Sequence, residues 1–166
     1  GPFDYKLALL GRFIWDFSRG RVPFLTKGGF EIIDTRDVAN AAVAATSKGL
    51  WGKTYLLSNT YLKVQDFIHW LEAMSGRDAP RLYVPKTLLY PFALASELRY
   101  RLHGEQPVVN MAALRVLGRE IHADCSEARA DFGFKCRPLE ETFADTWKWL
   151  EEHYHLVKVT RIPVEK

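Results

Sequence analysis

The sequence predicts an α/β fold, mostly helical with a few short strands, and three observations carry that prediction. The stretch Gly28 to Ser58 reads as strand, turn, helix, loop, strand: the apolar run Phe30 to Ile33, a helix start at Asp34, a small-residue helix to Ser47, a stop at Gly49, and a β-rich Tyr55 to Leu57. Such an order is a βαβ unit, whose helical crossover implies some parallel pairing. Around it lie several segments whose apolar residues recur at helical spacing. Finally, 166 residues with 48% hydrophobic and 26% charged content suit one globular domain with a sizeable core.

Taken in order, Asp4 can cap a helix carrying Leu10, Phe13, Ile14 and Phe17 on one face, with Gly20 as its stop. Val22 to Thr26 is a short strand candidate, and Lys27-Gly28-Gly29 turns the chain into Phe30 to Ile33. Asp34 opens the next helix, with Asp37 in its first turn where the helix dipole favours a carboxylate. Its inner face, Val38, Ala41, Ala42 and Ala45, is small enough to lie close on a sheet. A short extended piece, Tyr61 to Lys63, precedes a helix with Val64, Phe67, Ile68 and Leu71 inward and Gly76 at its end; His69 and Trp70 lie off that stripe.

Beyond the loop Arg77 to Pro80, Arg81 to Val84 is a strand candidate and Thr87 to Leu102 a long helix that tolerates Pro91 near its start. Val108 to Leu117 is expected as a short helix carrying Arg115, and Ile121 to Cys125 as a strand. Ser126 is placed to cap Glu127 to Phe132, which Gly133 stops. Pro138 opens a last helix with Leu139, Phe143, Trp147, Leu150 and Tyr154 on its buried side. Residues 1–155 form one unit, and 156–166 read as a frayed, partly basic tail.

The formal charge of +3 is spread along the chain with no Lys/Arg run of about five or more, which argues against nucleic acid as a partner. No apolar run of about 18 residues is present, so a membrane span is not expected. Cys125 and Cys136 have no metal-ligand spacing, and a reducing cytoplasm is the simplest home. The Gly-Pro start without an initiator Met reads as a cleavage scar or as a piece of something longer. Glycine-rich nucleotide loops, nucleophile elbows and metalloprotease helices are all missing, so nothing in these residues performs a reaction by itself.

Four motifs nevertheless stand in a recognisable order: Gly1-Pro2-Phe3-Asp4 before a helix, Asp34-Thr35-Arg36-Asp37-Val38-Ala39, Gly52-Lys53-Thr54-Tyr55-Leu56-Leu57, and Ser126 to Phe134 followed by Arg137-Pro138-Leu139-Glu140-Glu141-Thr142. From Gly1 to Tyr154 the chain resembles the C-terminal half of an extended short-chain dehydrogenase/reductase of the NAD-dependent epimerase/dehydratase, dihydroflavonol-reductase-like group. The resemblance implies a Rossmann-type architecture whose dinucleotide-binding N-terminal half is not among these residues. It also implies that NAD or NADP belongs to the full-length parent and is not held tightly by this chain alone. The family's glycine-rich loop and Tyr-x-x-x-Lys acid/base pair would sit in that other half.

By the same resemblance Gly1 and Pro2 would line the cofactor. A small-molecule substrate would contact Phe24, Thr26, Arg115 and the edge from Leu89 to Phe92, which makes the chain the substrate-binding portion of an oxidoreductase or epimerase acting on a small carbonyl or alcohol. Each residue also has a plain structural reading: Phe24 and Phe92 as core, Thr26 as strand surface, Arg115 as a solvated base. Many sugar-nucleotide epimerases of the family carry a diphosphate-binding Arg where this chain has Phe30, so a nucleotide-sugar epimerase or dehydratase is the alternative, with Arg115 as its candidate cation. A non-catalytic binding protein on the same fold is the other. Separated from the first half, the chain is expected to expose apolar surface and to self-associate.

Overall fold

The computed structural model describes residues 1–103, 114–115 and 120–156. Eight elements follow in order among them: α1 Leu9–Ser18, β1 Gly29–Ile32, α2 Thr35–Lys48, β2 Thr60–Lys63, α3 Val64–Ser75, α4 Lys86–His103, α5 Ser126–Phe132 and α6 Leu139–Tyr154.

The main core is where α1, α3 and α6 pack on one face of the β1/β2 pair. Ile14 and Phe17 come from α1, Phe67, Ile68 and Leu71 from α3, and Phe143, Trp147 and Leu150 from α6, all buried. Aromatic rings fill the centre: Trp70 lies 4.5 Å from Phe143 and stacks at 6.2 Å on Phe67. Each such pair adds about 0.5–1.5 kcal/mol to area burial. Trp70, expected off the inward stripe, is thus an edge of this core, whereas His69 is exposed. On α6 burial extends beyond the expected stripe to Thr142, Thr146 and Trp149.

Helix ends follow local chemistry closely. The Asp34 side chain accepts from the Arg36 backbone N–H at 2.8 Å and caps α2. Gly76 and Gly133 end α3 and α5 with φ of 69° and 71°, the left-handed geometry that glycine adopts without strain. Asp4 acts just ahead of α1, with both carboxylate oxygens 2.8 Å from the Ala8 N–H. At α5 the expected cap is corrected: Asp124, not Ser126, supplies the carboxylate, accepting from the Ser126 N–H at 2.9 Å.

The sheet corrects the sequence reading most. The strand β1 pairs antiparallel with β2, in the register Gly29↔Lys63, Phe30↔Leu62, Glu31↔Tyr61 and Ile32↔Thr60. Tyr55 to Leu57, expected as the parallel partner, forms no strand; Tyr55 and Leu57 pack against the cluster that joins α2 to Phe132, and the extended piece noted at Tyr61 to Lys63 takes the pairing instead. The bond from Asn59 N to Ile32 O, 2.9 Å, closes the antiparallel pair at one end and Val64 N to Gly28 O, 2.9 Å, closes it at the other. The one parallel contact among the described residues is the isolated bridge Leu25↔Tyr83, all that remains of the strands expected at Val22 to Thr26 and Arg81 to Val84.

Ile121 to Cys125 is not a strand either; it is held by a side chain, Ala123 N donating to Glu31 Oε1 at 3.0 Å. Of the helix expected at Val108 to Leu117, only 114–115 are described, and they are helical; its remainder and the tail after Leu156 lie outside the described residues.

A second apolar cluster joins α2 to α5: Ala41 packs with Cys125, Ala128, Phe132 and Phe134, flanked by Ala44, Ala45, Tyr55 and Leu57. So α2 turns Ala41 and Ala45 inward as expected, but it leaves Val38 and Ala42 exposed. The reason is a rotation: the buried Asp37 and Ala41 set the inner line, and Val38 falls outside it.

Candidate functional site

Gly1 and Pro2, the candidate cofactor contacts, lie against the start of α2. A Cβ on Gly1 would come within 2.8 Å of Asp34 Oδ1 and 3.1 Å of the Thr35 backbone nitrogen, so this contact admits only glycine without displacement; Pro2 is buried. The segment from there to α1 is held in an unusual backbone, with Phe3 at φ 73° and Leu7 at φ 49°. Non-glycine residues in that region cost about 1–3 kcal/mol each and persist only where surroundings hold them. Here the holders are Asp4, through the Ala8 N–H, and Tyr154, whose hydroxyl donates to Tyr5 O at 2.7 Å. No sequence signal marks Phe3 or Leu7 for this conformation.

Beneath Gly1 lies a compact charge network. The Arg36 guanidinium donates from Nε to Asp34 Oδ1 at 3.0 Å, from Nη2 to Asp34 Oδ2 at 2.7 Å, and from Nη1 to Asp145 Oδ2 at 2.6 Å. Arg137 donates from Nε to Asp37 Oδ1 at 3.0 Å and from Nη1 to Glu141 Oε1 at 3.3 Å, while its backbone N–H reaches Asp37 Oδ2 at 2.9 Å. Burial pushes the Asp34 carboxyl upward, but the bonds from the Arg36 side chain and backbone outweigh it and hold the group well below the usual carboxylate range. Hydrogen bonding to Asp34 raises the Arg36 guanidinium in turn. Both guanidinium groups are committed to carboxylates, so the network fastens α2 to α6 and offers no anion site.

The substrate candidates fall in a third place. Phe24 packs with Val84 and Tyr90 around the buried Leu89, Ala93 and Leu114, a cluster separate from the main core. The structure therefore brings Phe24 and Leu89 together and sets Arg115, exposed, one residue from the buried Leu114. Thr26 is half-buried, next to the Leu25↔Tyr83 bridge that carries Phe24 to this cluster. Phe92 belongs to α4, with a side chain outside the described residues. Phe30 takes no part: its ring meets Phe67 edge-on at 6.0 Å, on the side of the main core.

A third charged group, at the far end of α2, also proves structural. Lys53 Nζ and the Tyr55 hydroxyl both donate to Asp131 Oδ2, at 2.8 and 2.7 Å, and the Leu50 N–H donates to the Tyr55 oxygen at 2.9 Å. No group of His, Cys, Asp and Glu suited to a metal ion occurs among the described residues. No helix among them is long and apolar enough to cross a membrane.

An α/β chain with an apolar cluster around Leu89 set apart from its main core is the class that these features define. No protein-family model matches the chain. Sterol demethylase protein B of Methylococcus capsulatus is 31% identical over 154 residues, 92% of this chain and 47% of that protein. A dihydroflavonol 4-reductase candidate of Synechocystis is 29% identical over 157 residues, 92% of the chain and 46% of that protein. Among solved structures, gox2253 superposes with a TM-score of 0.70 at 27% identity, covering 92% of the chain and 46% of its own. A nucleoside-diphosphate-sugar epimerase from Pseudomonas aeruginosa, with a TM-score of 0.64 at 22% identity over 86% of the chain and 42% of its own, shares the fold. The chain belongs to the extended short-chain dehydrogenase/reductase family, in its epimerase/dehydratase and dihydroflavonol-reductase-like group. It spans about half the length of the curated relatives that it matches.

Proposed function

We propose that the chain is the C-terminal, substrate-binding portion of an NAD(P)-dependent oxidoreductase that acts on a carbonyl or alcohol carried by a small apolar molecule. The observation that carries the reading is the meeting of Phe24 and Leu89 with Leu114 in a cluster of their own. An apolar wall with few polar groups beside it is what a ligand pocket uses. The names of the relatives, a sterol demethylase protein and a dihydroflavonol reductase, point the same way, to ring-bearing alcohols and ketones. Gly1 and Pro2 would face the cofactor, which supplies the hydride when bound; the residues of this chain bind and orient substrate and supply no proton. Thr26 and Arg115 would border the wall.

Packing of Phe30 on Phe67 leaves no cation at that position, so the reading favours an uncharged substrate over a nucleotide sugar. Calorimetric titration of the full-length polypeptide with NADH, NADPH and a UDP-sugar tests it. The expected result is micromolar binding of a reduced dinucleotide and none of the UDP-sugar beyond it. Absence of any dinucleotide binding would overturn the reading.

A further inference from the structure

Cys125 and Cys136, the chain's two thiols, are both free, and the fold brings them to one atom. Cys125 Sγ donates to the Ser58 carbonyl oxygen at 3.5 Å, and Cys136 Sγ donates to the same oxygen at 3.6 Å. The Ser58 N–H in turn donates to Cys125 Sγ at 3.1 Å. Both side chains pack in the cluster of Ala41, Ala128, Phe132 and Phe134, Cys125 buried and Cys136 half-buried. Neither belongs to the apolar cluster around Leu89.

The end of α5 produces this meeting. Gly133 takes the left-handed geometry, and the Phe134 N–H bonds back to Ala128 O at 3.2 Å, so the chain reverses on the helix it has just left. Two residues further, Cys136 reaches the carbonyl that Cys125, just ahead of the helix, already meets. Both positions are fixed by their own backbones. Cys125 O accepts from Arg129 N at 3.1 Å, and the N–H of Arg137, next to Cys136, is held by Asp37 at 2.9 Å. Alanine or valine would fill the cluster as well as cysteine does. What two thiols on one acceptor add is the chemistry that they can do with each other.

We infer that Cys125 and Cys136 are a redox-active dithiol that closes to an internal disulfide by exchange with a small-molecule disulfide. The half-buried Cys136 is the sulfur that an outside molecule reaches. Its thiolate attacks one sulfur of that molecule, forms a mixed disulfide and releases one thiolate. Cys125 then gives up its proton, its sulfur attacks Cys136 Sγ, the internal bond forms and the second small thiol leaves. Two protein thiols are oxidised, and one disulfide molecule is reduced to two thiols. Burial, with Asp37 close by, raises the Cys136 thiol above its ordinary value, so the pair rests protonated and the nearness of the second sulfur drives closure. Closure encircles α5, whose Asp131 holds Lys53 and Tyr55, and takes both thiol donors from the Ser58 carbonyl at the approach to β2.

Incubation of the native full-length polypeptide with oxidised glutathione, followed by acid quenching, alkylation and tryptic mapping without reductant, tests it. Expected is a cross-link between peptides 120–129 and 136–148, two hydrogens lighter than the reduced pair and reversed by dithiothreitol. Glutathione-bound Cys136 should stay below about a tenth of the product in the wild type and accumulate about tenfold or more in Cys125→Ala. In Cys136→Ser the buried Cys125 should remain a thiol. A lasting glutathione adduct on Cys136 of the wild type would overturn the inference, and so would cross-links between molecules only. Two unmodified thiols in the native protein, under conditions that oxidise the urea-unfolded chain completely, would also sink it. The wild-type map decides the bond even if neither variant folds.

Discussion

The Asp34 carboxylate is wholly shielded from solvent and clasped by the Arg36 guanidinium two residues along, Nε to Oδ1 at 3.0 Å and Nη2 to Oδ2 at 2.7 Å. The same carboxylate also caps α2 through the Arg36 backbone N–H. One residue thus fixes the helix start, pairs with a half-buried arginine and, through Asp145 on the other side of that arginine, ties α2 to α6.

Removing the carboxylate leaves the partly exposed Arg36 guanidinium held by Asp145 alone. Asp34→Ala is expected to cost about 2–4 kcal/mol, from the lost helix cap and the lost charge-assisted hydrogen bonds together. The pH dependence has a defined sign. The folded carboxyl titrates well below the unfolded value of about 3.9, so the unfolded chain takes up the proton first. The stabilisation is therefore complete above about pH 5 and fades as pH falls through 4 and below. Urea melts of wild type and Asp34→Ala between pH 7 and pH 3 check both points: the gap between them should narrow on acidification, and a constant gap would contradict the clasp.

Arg137 makes a parallel case at the next carboxylate. It meets Asp37, whose side chain is 5% exposed, with Nε, Nη2 and its backbone N–H. Arg137→Met keeps the backbone bond but leaves Asp37 without its cation and is expected to cost about 2–3 kcal/mol. Arg137→Lys should recover only part of that, because an ammonium cannot reproduce the fork. Chemical denaturation of the three proteins at neutral pH would order them, and equal midpoints for Lys and Arg would show that charge alone suffices.

These carboxylates were legible in the sequence as helix-start acids, and that is what they are. The helices α1, α2, α3 and α6 were legible too, because capping side chains and terminal glycines act locally and the apolar stripes are long. Strand partners were not. Tyr55 to Leu57 and Tyr61 to Lys63 are both short and β-rich, and nothing in their own residues says which will lie against Phe30. Nor does local sequence carry the orientation of α2: five alanines and two valines fit a helix rotated either way, and the buried Asp37, held by an arginine a hundred residues later, decides it. Phe24 and Leu89 were legible as large apolar residues. Their meeting with Leu114 depends on the bridge Leu25↔Tyr83, a long-range contact that no local pattern announces.

Gly29 offers a cleaner test of the sheet face opposite the core. Tyr61 leans across the strand pair so that a Cβ on Gly29 would meet its Cζ at 2.5 Å and the Leu62 carbonyl oxygen at 2.6 Å. The ring could swing away; the carbonyl belongs to the ladder and cannot. Gly29→Ala is therefore expected to destabilise by about 1–3 kcal/mol, the usual cost of overpacking. Adding Tyr61→Ala should return only part of it, which thermal melts of the single and double variants would resolve. Full rescue by Tyr61→Ala would place the whole clash on the side chain and contradict the observed register.

Phe24 is the residue on which the proposed substrate wall can be separated from plain packing. It is half-buried, against the Leu89 cluster on one side and open on the other. Truncation to alanine in the full-length protein would lose packing in either reading, but only a substrate contact changes kinetics. For an apolar ketone the expected result is a rise in KM of about tenfold, the equivalent of about 1.4 kcal/mol of ground-state and transition-state binding, with kcat within about a factor of two. Phe24→Leu, which keeps most of the apolar surface, should restore KM to within about threefold. A lowered melting temperature with KM unchanged would make Phe24 a core residue only, and the wall would have to be sought elsewhere along α4.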